Sequence, residues 1–291
     1  MSKVGVVILN WNNASDTIAC ITSVKALQGV DFFIVCVDNA SIDDSVSKIF
    51  SSHPDVTIHL SPKNLGYAGG NNFGIEKALQ AGASHIWILN NDTEIDPLCL
   101  KNLLSPFLTN PKIGITGSKI YYYADKEKIW FAGGIYYPFR GVTTHYLENS
   151  KLSGVLSDKK LDYVSGCSML LSAAAIHSIK GFDASLFLLY EEIDICNRAK
   201  KNGFSVKMCE TSLVYHKVSQ TLPDSPLRLY YFTRNRLYIS LKHYPLFLPF
   251  VLLWCVRWPL LPALIKRPQN IKYVLKAFSD FFTGKMGAYA D

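Results

Sequence analysis

No two cysteines in this chain are spaced as Cys-x-x-Cys. The seven, at positions 20, 36, 99, 167, 196, 209 and 255, are odd in number and scattered. That pattern argues against a disulfide framework or a zinc site and for reduced thiols in the core of a cytosolic protein. A G-x-G-x-x-G run is missing too, so an ordinary dinucleotide-binding turn is disfavoured. The start, Met1-Ser2-Lys3-Val4, leads straight into an apolar stretch without the zones of a signal peptide. Acidic residues are scarce at the far end. Residues 228–291 hold ten Lys and Arg against two Asp and Glu, whereas residues 1–227 hold 20 against 21, so the formal charge of +7 is a property of the tail.

What is present is an ordinary globular composition. With 291 residues, 49% apolar and 18% charged, the chain can bury the core of a large α/β domain carrying an appendage, with the boundary expected at the charge shift near residue 227. In the appendage, Leu246 to Ile265 carries a single charge, Arg257, and is interrupted by Pro249, Pro259 and Pro262. A basic, apolar tail suits adsorption to an anionic membrane surface, with Trp254 and Trp258 at headgroup depth. Three prolines and an arginine weaken a spanning helix. A tail helix packed on the main domain is the competing reading. Nucleic acid is disfavoured as a partner, because the basic residues flank apolar surface instead of alternating with exposed aromatics.

Four short apolar runs alternate with helical patterns: Val4 to Leu9, Phe32 to Val37, Val56 to Leu60 and Ile86 to Leu89. They read as buried strands of a right-handed, doubly wound, mainly parallel sheet. Between the first two runs, Ile18, Ile21, Val24 and Leu27 line one face of a helix capped by Asn13 or Ser15. Asn64 to Asn72 reads as a glycine-rich turn before a helix from Phe73 to Leu79, with Gly66, Gly69 and Gly70 permitting close backbone approach to a nucleotide. Ligands of such sheets bind beyond the carboxyl ends of the strands. There Asn10 or Asn12 could read a base, Asp38 could hold a ribose hydroxyl, and Asp92 of Asn90-Asn91-Asp92-Thr93 could bind a cation on a diphosphate. Each could equally be a turn or a cap, as Asp96-Pro97 is for the following helix. Their gathering on one rim favours a nucleotide.

Taken together, Val-Val-Ile-Leu-Asn-Trp-Asn-Asn at 6–13, Val-Asp-Asn-Ala-Ser at 37–41, Asn-Leu-Gly-Tyr-Ala-Gly-Gly-Asn-Asn at 64–72 and Leu-Asn-Asn-Asp-Thr at 89–93 resemble the family 2 glycosyltransferases of the GT-A fold. The nearest branch looks like the rhamnosyltransferase-like enzymes of bacterial surface polysaccharide assembly. The resemblance continues through Asp162 to Gly166, Gly181-Phe182-Asp183 and Tyr190 to Cys196, and covers about residues 4–240.

What the resemblance implies is an inverting, metal-dependent transferase. Residues 1–117 would form its nucleotide-sugar half, 118–227 its acceptor half, and 228–291 a helical, basic and apolar tail on the cytoplasmic face of the inner membrane. The donor would be a dTDP- or UDP-sugar, with rhamnose favoured, and the acceptor a saccharide or lipid-linked saccharide. Asn10, Asn12, Asp38, Asn64, Gly66, Gly69, Asn71 and Asn91 would line the nucleotide-sugar site. Magnesium or manganese would sit at Asp92, the one carboxylate left in the Asp-x-Asp position, and His216 matches a place where such enzymes supply a metal ligand. Lys217, Arg234 or Arg236 could meet the diphosphate instead.

The general base of the family is the second member of an acidic pair, which falls on Glu192, with Glu191 as the alternative. The pair could also simply complement the dipole of a helix over 191–202. Trp130, Gly166 and Asp194 are candidates for the acceptor side, as are Tyr121 to Tyr123. A processive polysaccharide synthase is disfavoured, because Trp254 to Trp258 has Trp where such enzymes carry Gln. A catalytically silent nucleotide-sugar-binding or scaffold subunit is a further rival.

Overall fold

The computed structural model describes residues 3–151, 160–218 and 225–290. Parts of the acceptor half expected over 118–227, at 152–159 and 219–224, lie outside the described residues.

The strands are β1 (Lys3–Asn10), β2 (Asp31–Asp38), β3 (Ile58–Leu60), β4 (His85–Asn90), β5 (Thr93–Ile95), β6 (Ile113–Tyr122), β7 (Asp125–Phe131), β8 (Gly134–Tyr137), β9 (Val142–His145), β10 (Ser168–Ser172) and β11 (Ser205–His216). The α-helices are α1 (Ala14–Lys25), α2 (Ser45–Ser52), α3 (Gly66–Gln80), α4 (Cys99–Thr109), α5 (Ala173–Ile179), α6 (Glu191–Lys201), α7 (Pro226–His243), α8 (Leu248–Cys255), α9 (Leu261–Lys266) and α10 (Ile271–Phe282). The main sheet runs β3-β2-β1-β4-β10-β6-β11-β5, with β7 on β6, while β8 and β9 form a separate ribbon.

The four expected strands form the parallel half, with Val7 opposite both Val35 and Ile88. β1 and β4, buried along nearly their whole length, are apolar almost throughout, as a covered parallel sheet requires, while β3 is a short, partly exposed strand at the edge. The second half is mixed. β10 runs antiparallel to β4 and β6, β11 parallel to β6, and β5 antiparallel to β11. A chain of buried polar side chains crosses this half: Trp87 Nε1 donates to Ser168 Oγ at 2.9 Å, and Ser118 Oγ lies 2.7 Å from Ser168 Oγ and 2.9 Å from Ser212 Oγ. Satisfied networks of this kind fix neighbours in a core that apolar packing alone would leave interchangeable.

Two expectations need correcting. The glycine-rich stretch is helix, because α3 begins at Gly66. Its glycines serve close packing of helix on sheet: a Cβ on Gly74 would stand 2.3 Å from Val7 Cγ1, and one on Gly70 2.6 Å from Leu9. The boundary near 227 falls inside α7, nine of whose residues are buried, Arg234 and Arg236 among them. α7 belongs to the main body and packs against α10.

Candidate active site

Most of the polar cluster at the ends of β1 and β2 satisfies itself. Asn10, fully buried, donates to Asp38 Oδ1 at 2.8 Å and accepts from Thr17 Oγ1 at 2.7 Å. Asp38 accepts from Ser41 N at 2.9 Å and Ser41 Oγ at 2.6 Å, and Asn12 Oδ1 accepts from Ile42 N at 2.8 Å. Asn64 Oδ1 accepts from Gly66 N at 2.8 Å, and Asn91 donates to Thr17 at 2.9 Å. The Asn10 amide, expected to read a base, is thus engaged inside the protein, and Asp38 closes its own turn. Gly66 and Gly69 offer no open phosphate cradle. The Phe187 carbonyl accepts from Tyr67 N at 2.8 Å and Ala68 N at 3.4 Å, filling the start of α3, and a Cβ on Gly69 would meet Leu65 Cβ at 2.8 Å. Asn71 is buried with its Oδ1 lacking a hydrogen-bond partner.

Asp92 and His216 lie 124 residues apart in the chain, and the antiparallel β5–β11 pairing, with His216 opposite Thr93, brings them together. His216 Nε2 is 3.1 Å from Asp92 Oδ1, both side chains are buried, and His216 Nδ1 has no hydrogen-bond partner among the described residues. Trp130 packs edge-on against the imidazole at 4.7 Å between ring centroids, so Trp130 supports this pair. Among the described residues no three His, Cys, Asp or Glu side chains form a complete metal-holding group. One carboxylate beside one imidazole fits a hard cation that arrives with a diphosphate, whose oxygens and water supply the remaining ligands.

The second centre is the acidic pair opening α6. Glu191 is buried, with Oε1 lacking a hydrogen-bond partner among the described residues, while Glu192 is partly buried. Burial pushes the Glu191 carboxyl well above its ordinary range, with the neighbouring Glu192 adding to the shift, and burial raises Glu192 as well. The residues just before them are strained: Phe187, Leu189 and Tyr190 have φ of 64°, 72° and 75°. Such conformations cost about 1–3 kcal/mol each for side chains of this kind, and they collect where a structure must present a group in one direction.

Three hydrogen bonds tie together the segments that carry the two centres. Asn90 N, two residues before Asp92, donates to Cys167 O at 3.0 Å, and Tyr67 OH donates to Gly166 O at 2.6 Å. Tyr67 N then reaches Phe187 O. The electrostatics agree: Asp92 adds to the effect of burial in raising the Cys167 thiol, and Glu191 and Glu192 do the same to the Tyr67 phenol. Gly166 acts here through its backbone. Beside these bonds opens a largely apolar cavity of about 430 Å³, lined by Trp11, Asn64, Tyr67, Phe187, Tyr231 and Tyr289 among others, a size suited to a nucleoside-sized ligand.

Other candidates are corrected by their surroundings. Asp194 is fully buried, and Arg198, Lys242 and His243 stand at 2.7, 2.8 and 2.8 Å from its oxygens. Against burial, the hydrogen bond from His243 and the charges of Arg198 and Lys242 pull its carboxyl down to about 2, so it ties α6 to α7. Arg234 and Arg236 are also buried, with Arg234 bonded to Leu186 O and Gly287 O, and Arg236 stacked on Phe232 at 4.4 Å. Lys217 pairs with Asp16 at 2.9 Å. Sequence reasoning passed over Trp11, Tyr67 and Asn235. An exposed tryptophan straight after a strand end, and an Arg-Asn-Arg run inside an aromatic helix, were the available signals.

A sequence model described as Glycosyl transferase family 2 matches residues 5–177, more than half of the chain. The chain belongs to glycosyl transferase family 2. Among curated proteins, this family 2 glycosyltransferase is 26% identical over 254 residues to the low-salt glycan biosynthesis hexosyltransferase Agl10 of Haloferax volcanii, covering 82% of this chain and 76% of that one. It is 25% identical over 213 residues to the N-acetylglucosaminyl-diphospho-decaprenol L-rhamnosyltransferase of Mycobacterium tuberculosis, covering 66% and 68%. In fold it resembles the mannosyltransferase PcManGT of Pyrobaculum calidifontis, solved with GDP-Man and Mn2+, with a TM-score of 0.57 at 13% identity over 98% of this chain and 76% of that one. The fold is GT-A, a curled, mostly parallel α/β sheet followed by a C-terminal helical region.

Proposed function

We propose that this glycosyltransferase moves one sugar, rhamnose from its dTDP form, onto a lipid-linked saccharide with inversion at the anomeric carbon, in cell-surface polysaccharide synthesis. The observation that supports the reading is the 3.1 Å contact of the buried Asp92 carboxylate with His216, a place for a cation, with the partly buried Glu192 at the start of α6 taken as the base. The nucleoside would occupy the cavity beside Trp11. The acceptor hydroxyl gives its proton to Glu192 as its oxygen bonds the anomeric carbon, and the bond from that carbon to the diphosphate breaks with its electron pair leaving on the diphosphate. Asp92 and His216 would hold Mg2+ or Mn2+, which neutralises charge on the departing diphosphate. A carboxyl raised by burial is a better base near neutral pH than an ordinary one.

The lipid-linked acceptor is supported by the C-terminal helices. The run Pro245–Ala263 has 19 residues and a mean hydropathy of 1.7, with a π-helical stretch, Val256–Leu260, around Pro259. Val251, Cys255, Pro259 and Ala263 are buried at four-residue spacing, while Leu246, Leu253 and Ile265 are 86%, 69% and 76% exposed. One stripe on the protein and the opposite stripe outward describe a helix lying along a surface, as an interfacial helix does. Phe139, at the tip of the β8–β9 ribbon, extends the outward face by packing on Phe247 and Phe250. The protein would sit on the cytoplasmic face of the membrane by this ridge.

A screen of dTDP-, UDP- and GDP-sugars for divalent-cation-dependent transfer tests the reading. Turnover of dTDP-rhamnose, abolished by chelator, is expected; no turnover of any nucleotide sugar would contradict it.

A further inference from the structure

We propose that Asn235, on α7, is a positioning residue that sets the aim of the Glu191–Glu192 pair. Its Nδ2 faces the carbonyl oxygens of Leu186, Leu188 and Leu189 at 2.9, 2.8 and 3.0 Å. One amide with two hydrogens thus gathers three carbonyls from the segment whose backbone is left-handed at Phe187, Leu189 and Tyr190. L residues leave that region unless their surroundings hold them there. Which end of the amide faces the loop is fixed by Arg234, whose Nε donates to Asn235 Oδ1 at 3.0 Å. Arg234 itself is fully buried and spends its remaining donors on Leu186 O at 3.1 Å, Gly287 O at 2.8 Å and Tyr230 OH at 3.1 Å.

These bonds end on the loop rather than on the glutamates. Their influence passes through Tyr190, the cap residue of α6, whose phenol is pinned by a 2.7 Å bond to Gly141 O. Every group that Asn235 Nδ2 meets is an acceptor, so the position demands donors and not merely volume. Aspartate has the same shape and supplies none. The inference rests on the reading of the acidic pair as the base, and the experiment separates the two.

Asn235→Asp and Asn235→Ser are compared with the wild type and Glu192→Gln as full chains, using the nucleotide sugar that scores in the donor screen. Readouts are kcat, donor KM and the thermal midpoint. Asn235→Asp is expected to lower kcat about 10- to 100-fold with donor KM within about three-fold and a cooperative melt. Asn235→Ser, which keeps one donor, is expected to recover part of that loss; if the aspartate variant does not fold, the serine variant decides, with kcat down about three- to ten-fold at unchanged KM. Wild-type kcat in both variants beside an inactive Glu192→Gln would overturn the positioning role, as would losses that merely follow the folded fraction. Full turnover by Glu192→Gln would overturn the base reading itself.

Discussion

Two regions of this molecule use polar residues in opposite ways. At the ends of β1 and β2, Asn10, Asp38, Ser41 and Thr17 bond one another and leave little for a ligand. At the start of α6, Glu191 Oε1 is buried without a hydrogen-bond partner among the described residues and the preceding backbone is strained at three residues. A cluster that satisfies itself stabilises the fold. A buried carboxyl with one oxygen left unsatisfied costs stability, and it persists only where the surroundings over-determine it.

The sharpest way to break this contrast is to treat the two aspartates alike. Asp92→Ala is expected to cut transfer per folded molecule about 10²-fold or more, as loss of a charge-stabilising group does, and also to lower the melt, because the buried His216 loses its partner; rate assays at several Mn2+ concentrations, corrected for the folded fraction, check it. Asp38→Ala should act the other way round, removing about 2–3 kcal/mol of stability by stranding Asn10 and Ser41, read as a lower urea midpoint. Equal behaviour of the two variants would erase the distinction.

Smaller effects sharpen it. Phe250→Glu with Leu253→Glu should weaken flotation with anionic vesicles several-fold while leaving donor affinity unchanged; undiminished flotation would remove the ridge from the account. Glu191→Gln should be stabilising, with a definite pH dependence. Because the folded state raises the Glu191 pKa above 4.5, the folded protein binds the proton more tightly than the unfolded chain. Wild-type stability therefore falls as pH rises above that value, by at most about 1.4 kcal/mol per pH unit for this group. The variant should match the wild type near pH 4 and exceed it near pH 8, and parallel melting curves across pH would contradict the burial of an ionisable carboxyl.

The parallel half was legible because strands covered on both faces must be apolar, and Val4 to Leu9 or Ile86 to Leu89 have no other reading at that length. Asp92 and His216 were each legible as candidates, but their contact depends on the antiparallel register of β5 on β11, which no local pattern encodes. The run from Leu186 to Tyr190 looked like plain apolar chain. Its left-handed turns carry no glycine, because Asn235 and Arg234, some 45 residues away, hold them. For the same reason the tail's positive charge misled: Arg234, Arg236 and Lys242 face inward onto carbonyls, an aromatic ring and carboxylates, so composition overstated what a membrane could meet.

The most direct measurement is transfer by Glu192→Gln at saturating donor, with donor affinity determined on the same sample. A loss of about 10²-fold or more in transfer with donor affinity unchanged is expected of the base. Turnover at the wild-type rate would contradict the assignment on which the proposed chemistry rests.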